Sequence, residues 1–144
     1  MFIFAMWLSL PVYAADAFGV WRTNLRLSTN ACNHMMVVRF EPHRNGEVIT
    51  VDQIDRHGRS TTSSTILYLD GQERPFEGFG CSGTQSSRRL DSQTVEILRA
   101  CRSGESKWFV RRLSTDAKEM VLEVTEQQNH SRRFDRRLVL EKQD

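Results

Sequence analysis

Few of the residue types that carry chemistry occur in this chain of 144 residues, which has four histidines and three cysteines. Cys32 and His34 are spaced so that both side chains would point to one side of a strand, where a third ligand would complete a zinc or copper site. No second Cys/His pair follows, and His43 and His57 fall in predicted loops. We therefore predict that the protein binds no metal and no cofactor.

A candidate nucleophile occurs in the glycine-rich sequence Gly78-Phe-Gly-Cys-Ser-Gly83. Hydrolases expose a nucleophilic serine in a G-x-S-x-G turn between a strand and a helix. This stretch lacks that motif and a helical pattern after it, and we can assign no base, orienting carboxylate or oxyanion donor. The sequence therefore predicts a protein that is not an enzyme.

Paired arginines are the most unusual feature. They recur at Arg88-Arg89, Arg111-Arg112, Arg132-Arg133 and Arg136-Arg137, while the chain has only three lysines. Adjacent residues of a strand point to opposite faces, so one arginine of each pair could point inward. Inward arginines without carboxylate partners would attract an anionic ligand. Alternatively, the pairs lie at strand ends or bind carboxylates across strands. The candidate carboxylates are Glu96, Glu123 and Asp135.

The elements that position these residues are short strands with alternating apolar and polar side chains, separated by turn residues such as Asn45-Gly46 and Asp70-Gly71. No amphipathic helix is predicted. Many short strands with hairpin-length connections favour a single antiparallel up-and-down β-barrel of eight to nine strands. Segment 73–83 is predicted to be an irregular loop over one barrel end. The candidate strands are residues 20–26, 35–40, 47–54, 61–69, 85–90, 94–101, 106–113, 120–126 and 133–140.

Composition narrows the function classes. The chain has the length of one domain, and its formal net charge of +2 gives no case for nucleic-acid binding. No apolar run approaches the roughly 18 residues that a membrane span needs. We therefore predict no nucleic-acid partner and no stable membrane span.

The N-terminal residues predict export. Residues 1–14 form an apolar stretch that ends in Val12-x-Ala14, which is typical of a secretory signal and its small-residue cleavage site; Ala15-x-Ala17 would extend the segment to residue 17. The basic residues that usually precede such a stretch are missing, and the alternative is a buried N-terminal strand or helix. Residues 18–143 then form the mature domain.

Export would place the cysteines in an oxidising compartment. Cys81 and Cys101 flank the turn signal Asp91-Ser-Gln93. If strands run back antiparallel from that turn, Cys81 lies beside position 102. A disulfide between Cys81 and Cys101 is therefore predicted, with Cys32 as the free thiol.

The order of several weak motifs resembles a group of small exported bacterial proteins, described as lipocalin-like β-barrels of unknown function. The resemblance covers residues 18–143 and implies a periplasmic or secreted barrel. Ala117-Lys118 departs from the Gly-Lys of that group, and the cysteines are additional. The matching segments are Phe18-Gly-Val-Trp-Arg-Thr-Asn24, Leu69-Asp-Gly71 with Pro75, Arg88-Arg-Leu-Asp-Ser-Gln-Thr-Val-Glu96 and Ser114-x-Asp116.

Lipocalins also carry a G-x-W motif in the first strand, with an arginine of the last strand over the tryptophan ring. Similarity to them implies that Gly19 and Trp21 close one end of the barrel. The arginine would be Arg136 or Arg137.

We therefore expect an exported, non-catalytic barrel that binds a small amphipathic, hydrophobic or anionic molecule. The predicted apolar lining is Trp21, Tyr68, Trp108 and Phe134, with Arg112 and Arg136 as polar anchors. The alternative is a periplasmic module that binds a protein, such as a protease inhibitor acting through the 73–83 loop or the N-terminal segment.

Overall fold

The computed structural model describes residues 16–29, 35–128 and 132–144. The predicted signal segment, Cys32 and His34 lie outside these residues. No helix of the described chain is long and apolar enough to cross a membrane. The described residues form ten strands: β1 Gly19–Thr23, β2 Met35–His43, β3 Gly46–Ile54, β4 Ser60–Leu67, β5 Arg74–Gly78, β6 Cys81–Arg89, β7 Thr94–Cys101, β8 Ser106–Leu113, β9 Glu119–Gln128 and β10 Arg132–Lys142.

All ten strands belong to one antiparallel sheet, in the order β4-β3-β2-β1-β10-β9-β8-β7-β6-β5. Each strand pairs with its neighbour in sequence except at two places. Strand β1 pairs with β10, where Trp21 lies opposite Lys142. Strands β4 and β5 are the two edges of the sheet, so the barrel is nearly closed and has one seam between them.

The strand count is the main correction to the sequence prediction, and it arises in segment 73–83. Gly78 pairs with Cys81, which leaves a two-residue turn of Phe79 and Gly80 between β5 and β6. Both turn residues have positive φ, 52° and 71°, as a hairpin turn of type I′ requires. The glycines therefore form a hairpin rather than an irregular loop, and the barrel has ten strands rather than eight or nine.

Side chains from both sides cross the seam where backbone pairing is missing. The amide Nε2 of Gln85 donates to Thr65 Oγ1 at 3.2 Å, and the hydroxyl Oγ of Ser87 accepts from the backbone N–H of Leu69 at 3.0 Å. The Arg74 guanidinium lies 3.9 Å from the centroid of the Tyr68 ring. These polar contacts hold the edge strands together.

Trp21 closes one end of the barrel, as the resemblance implies. Its ring is fully buried, and its indole N–H donates to the carbonyl of Ala17 at 2.7 Å. The cation nearest its ring from the last strand is Lys142, whose Nζ lies 6.0 Å from the centroid. The last-strand cation beside the Trp21 ring is therefore Lys142 and not the expected Arg136 or Arg137, because the register of β1 and β10 places Lys142 opposite Trp21.

The predicted disulfide is present between Cys81 and Cys101, whose Cα atoms lie 5.3 Å apart. It joins the start of β6 to the end of β7, at the barrel end that carries the Phe79-Gly80 turn. Of the two cysteines, Cys81 is buried.

Replacing Cys81 and Cys101 by alanine is expected to lower the free energy of unfolding by about 3 kcal/mol, because the 20-residue separation is no longer cross-linked in the unfolded chain. Urea unfolding of the two proteins measures the difference. A reductant should lower the stability of the wild type and leave the variant unchanged. Three titratable thiols in the native, unreduced protein would contradict the prediction.

Candidate ligand-binding site

The barrel encloses a cavity of about 530 Å³, within the range of small-molecule sites. Every second residue of a strand points into it, as the alternation of the sequence predicts. The two strands that contribute most inward side chains are β4, with Thr61, Ser63, Thr65 and Leu67, and β9, with Met120, Leu122, Val124 and Glu126. Strand β3 contributes Ile49, Val51 and Gln53, and β8 contributes Lys107, Phe109 and Arg111.

The cavity is apolar at one end and polar at the other. At the end closed by Trp21, its lining consists mainly of buried apolar residues. We call this end the floor, and its residues are Phe40, Ile49, Leu67, Ile97, Met120 and Leu140. At the opposite end, Gln53 and Thr61 still line the cavity and are exposed to solvent. We call this end the mouth; it contains the Phe79-Gly80 turn and the disulfide.

The floor also contains one buried ion pair. Arg111 of β8 and Glu47 of β3 meet across the barrel through two guanidinium nitrogens and both carboxylate oxygens, with Nη2 and Oε2 3.3 Å apart. Their side chains are 4% and 2% exposed, and the guanidinium lies over the Phe40 ring. Because the two charges satisfy each other, this arginine has little capacity left for a ligand anion.

Arg99 is a buried cation that lines the cavity. It has no carboxylate partner among the described residues. It lies two residues from the mouth end of β7, is 8% exposed and lines the cavity. Its Nε and Nη2 donate to Gln85 Oε1 at 3.1 Å and 2.8 Å. Three aromatic rings, those of Phe76, Phe79 and Phe109, hold the guanidinium, with centroids 4.3 Å, 4.9 Å and 5.0 Å away.

The remaining donors of Arg99 face the cavity. A guanidinium has five N–H groups, of which Gln85 accepts two. No fully buried side-chain nitrogen in the described residues lacks a hydrogen-bond partner, so Nη1 of Arg99, which has no described partner and belongs to a side chain that lines the cavity, is not fully buried. Burial lowers the pKa of Arg99 from its ordinary value to about 10, which leaves the group charged at neutral pH. An anion in the cavity would therefore find a rigid donor already in place.

Two other cations line the mouth, and each has an acidic neighbour. Lys107 Nζ lies 3.7 Å from Glu105 Oε1, and Arg136 Nη2 lies 3.5 Å from Glu126 Oε1. These distances describe loose ion pairs at partly exposed positions. The mouth is therefore polar and rich in charge, but the strongest anion donor is Arg99.

The aromatic residues predicted to line the cavity do not do so. Trp21 is fully buried beneath the floor, whereas Tyr68, Trp108 and Phe134 are 39%, 43% and 45% exposed, and none of the four is a lining residue. Trp108 has the outward parity of β8, and its indole donates to Glu96 Oε2 at 3.0 Å. Tyr68 packs under Arg74 at the seam. Phe134 shares the inward parity of Arg136 but lies two residues closer to the start of β10, at its mouth end.

Both hypotheses made from the sequence hold for part of the arginine pairs: some of these arginines point into the barrel, and others bind carboxylates. Arg112, a predicted anchor, points outward to Glu123 at 3.1 Å, while its neighbour Arg111 points inward. Arg136, the other predicted anchor, lines the cavity. The carboxylates named as alternative partners also hold arginines: Glu96 binds Arg88 at 2.8 Å, and Asp135 binds Arg133 at 3.3 Å.

Arg99 was not predicted from the sequence because it has no second arginine beside it. The signal that could have found it is parity: Val95, Ile97 and Arg99 alternate along β7, and the first two are buried apolar residues. An arginine that continues an apolar stripe must be buried with it. The described residues contain no cluster of three His, Cys, Asp or Glu side chains placed to hold a metal ion.

Comparisons with known proteins give a likeness of structure without one of sequence. No family model and no curated protein matches the chain. A Schistosoma mansoni fatty acid binding protein in complex with arachidonic acid matches with a TM-score of 0.62 at 8% identity, over 91% of this chain and 99% of its own. A secretary abundant heat soluble (SAHS) protein of Ramazzottius varieornatus matches with a TM-score of 0.69 at 8% identity, over 91% and 98%. The chain therefore has the fold of these antiparallel β-barrels.

Proposed function

We propose that the protein is a non-catalytic binding protein whose barrel holds a small amphipathic anion. The observation that carries the proposal is Arg99, a buried cation without a carboxylate partner among the described residues, in a cavity of about 530 Å³ whose floor is apolar. Burying an unpaired charge is unfavourable unless a ligand completes it. An apolar chain with an anionic group would fill the cavity and provide that partner.

The fold supports the same class of ligand. The Schistosoma mansoni barrel was solved with arachidonic acid, which has an apolar chain and a carboxylate. Segment 73–83, one of the two segments of the protein-binding alternative, is paired within β5 and β6. The other, the N-terminal segment, lies outside the described residues.

We further propose that the protein is exported, with residues 1–14, or up to residue 17, as the signal segment and residues 18–143 as the mature domain, in the bacterial periplasm or secreted. The Cys81–Cys101 disulfide fits an oxidising compartment. N-terminal sequencing of the mature protein tests the proposal, and a mature chain that begins at Met1 would contradict it.

Filling the cavity tests the binding proposal. Leu122 lines the cavity on β9, and a tryptophan there would occupy ligand space. We expect Leu122→Trp to reduce the affinity for the anionic dye 1-anilinonaphthalene-8-sulfonate, and for palmitate that displaces it, by at least about tenfold, because overlap with the larger side chain leaves part of the ligand outside the cavity. Fluorescence titration measures both.

Leu98→Trp is the matched control, because Leu98 is an exposed residue on the outer face of β7. It should leave the affinity for both ligands unchanged. Urea unfolding of both variants shows whether they are folded. If the wild type binds neither the dye nor palmitate, or if both variants bind as the wild type does, the cavity is not a binding site.

A further inference from the structure

We propose that the ligand is a single-chain anionic amphiphile that binds tail first, with its head group at Arg99 near the mouth and its chain end at the floor. The inference rests on the proposed function and adds the class and orientation of the ligand. Three observations carry it: the positions of the two buried arginines, the gradient of polarity along the barrel, and the closure of the floor.

The two buried arginines lie at opposite ends of the cavity and differ in availability. Arg99 is opposite Lys107 in the ladder of β7 and β8, and Lys107 and Arg111 are four residues apart on β8. The arginine layers are thus about 13 Å apart along the strands. Arg111, at the floor, is neutralised by Glu47, whereas Arg99, near the mouth, has free N–H groups. A head group at the floor would have to compete with Glu47 for the guanidinium of Arg111.

The lining polarity changes in the same direction. Toward the mouth the lining is rich in hydroxyl, amide and charged groups, and two of these residues, Gln53 and Thr61, are exposed. Toward the floor the lining is apolar and buried except for the Arg111–Glu47 pair and Thr65, which lies opposite Ile49 in the ladder of β3 and β4. Burial of an acyl chain is most favourable at the apolar floor, and the desolvation cost of an anionic head group is lowest at the solvent-exposed mouth.

This orientation predicts which part of a ligand can be large. Head groups extend toward the mouth, where Lys107 and Arg136 offer further cationic contacts. A phosphate ester head should therefore be accepted as well as a carboxylate. The chain end meets Leu67, Met120 and Leu140, which line the cavity, are at most 1% exposed and offer no hydrogen-bonding side chain to a polar group.

Bromine quenching of Trp21 measures the orientation directly. Trp21 packs in the same apolar cluster as Met120 and Leu140 of the floor. In the proposed mature chain, residues 18–143, a Trp108→Phe variant has Trp21 as its only tryptophan, and Trp108 does not line the cavity. We expect palmitate brominated at its terminal carbon to quench Trp21 strongly at saturation, and palmitate brominated beside the carboxylate to quench it weakly.

The opposite order, equal quenching by both probes, or no quenching by either bound probe would overturn the proposed orientation. Dye displacement in the same samples shows whether the probes bind. If neither binds, the proposed function fails and the orientation falls with it, whereas binding with the wrong quenching order contradicts the orientation alone.

A series of head groups gives an independent test by dye displacement. Palmitate and a monoacyl glycerol phosphate of equal chain length should bind within about tenfold of each other, because both heads reach Arg99. Hexadecanedioic acid should bind about a hundredfold more weakly than palmitate, because its second carboxylate would be buried unpaired at the floor. A dicarboxylate that binds as well as palmitate, or a phosphate ester that is excluded, would contradict tail-first binding.

Discussion

Replacing Arg99 by methionine is expected to raise the free energy of unfolding of the ligand-free protein by about 2 kcal/mol and to weaken palmitate binding by at least about tenfold. The pKa of Arg99, which burial lowers to about 10, corresponds to about 3 kcal/mol of destabilisation at neutral pH, where the group is charged in both the folded and unfolded chain. The variant also loses the hydrogen bonds from Arg99 to Gln85, which lowers its free energy of unfolding by about 1 kcal/mol and leaves a net increase of about 2 kcal/mol.

Urea unfolding and dye displacement, carried out on the same protein at pH 7.5, measure the two effects. Arg102→Met is the control, since Arg102 is an exposed arginine near the mouth end of β7. It removes the same charge from the surface and should change neither quantity appreciably. An Arg99→Met protein that is less stable than the wild type and binds palmitate as tightly would show that Arg99 has a structural role instead.

The pH dependence provides a further check on the cause. Because the folded-state pKa of Arg99, about 10, lies below its unfolded value, the unfolded chain binds more protons than the folded protein as the pH rises above about 10. The wild type should therefore gain stability relative to Arg99→Met as the pH rises above about 10, and the gap between them should narrow. If the difference in free energy of unfolding between the two proteins stays constant through this pH range, burial of the charge is not its cause.

Breaking the Arg111–Glu47 pair from either side is expected to destabilise the protein by about 3–5 kcal/mol, because the remaining charge is buried without a partner. In Arg111→Met the carboxylate of Glu47 stays at a position that is 2% exposed. In Glu47→Leu the guanidinium of Arg111 remains over the Phe40 ring without its counter-ion. Such losses are a large fraction of the stability of a domain of this size.

The double variant Glu47→Leu/Arg111→Met should recover most of the lost stability, since two apolar side chains replace two charges that neutralise each other. A double-mutant cycle measured by urea unfolding gives the coupling between them. Single variants that unfold at the same urea concentration as the wild type would show that the pair is solvated in solution. A double variant no more stable than the singles would show that packing, rather than charge, is responsible.

The sequence predicted the class of fold because alternation and turn chemistry are local properties. The β9 and β10 hairpin, with Met120, Val124 and Leu138 on the inward face, follows directly from alternation. The β5 and β6 hairpin was missed since its turn places a phenylalanine at positive φ, where glycine or asparagine is the usual signal. The glycine-rich segment consequently read as an irregular loop.

The site was less predictable because it depends on which face of each strand points inward and on contacts across the barrel. Strand β8 has large apolar residues at both parities, so its composition did not show that Phe109 points inward and Trp108 outward. The pairing of Arg111 with Glu47 joins residues 64 positions apart on opposite walls. No local pattern contains that information. Arg99 was within reach of sequence reasoning, through the apolar stripe that it continues.

The seam between β4 and β5 has a consequence for chain connectivity and folding. All strand pairs except one join strands that are adjacent in sequence. The exception is β1 with β10, beside which the side chains of Asn24 and Glu141, 117 positions apart in sequence, are hydrogen-bonded. Read from β5 through β10 and then β1 to β4, the sheet is one continuous meander. Its breakpoint is the connection between β4 and β5, which crosses the seam. The slow step of folding should therefore be the meeting of β1 and β10, since closing that loop carries the largest entropic cost. A chain permuted to start at β5 would contain only local pairings.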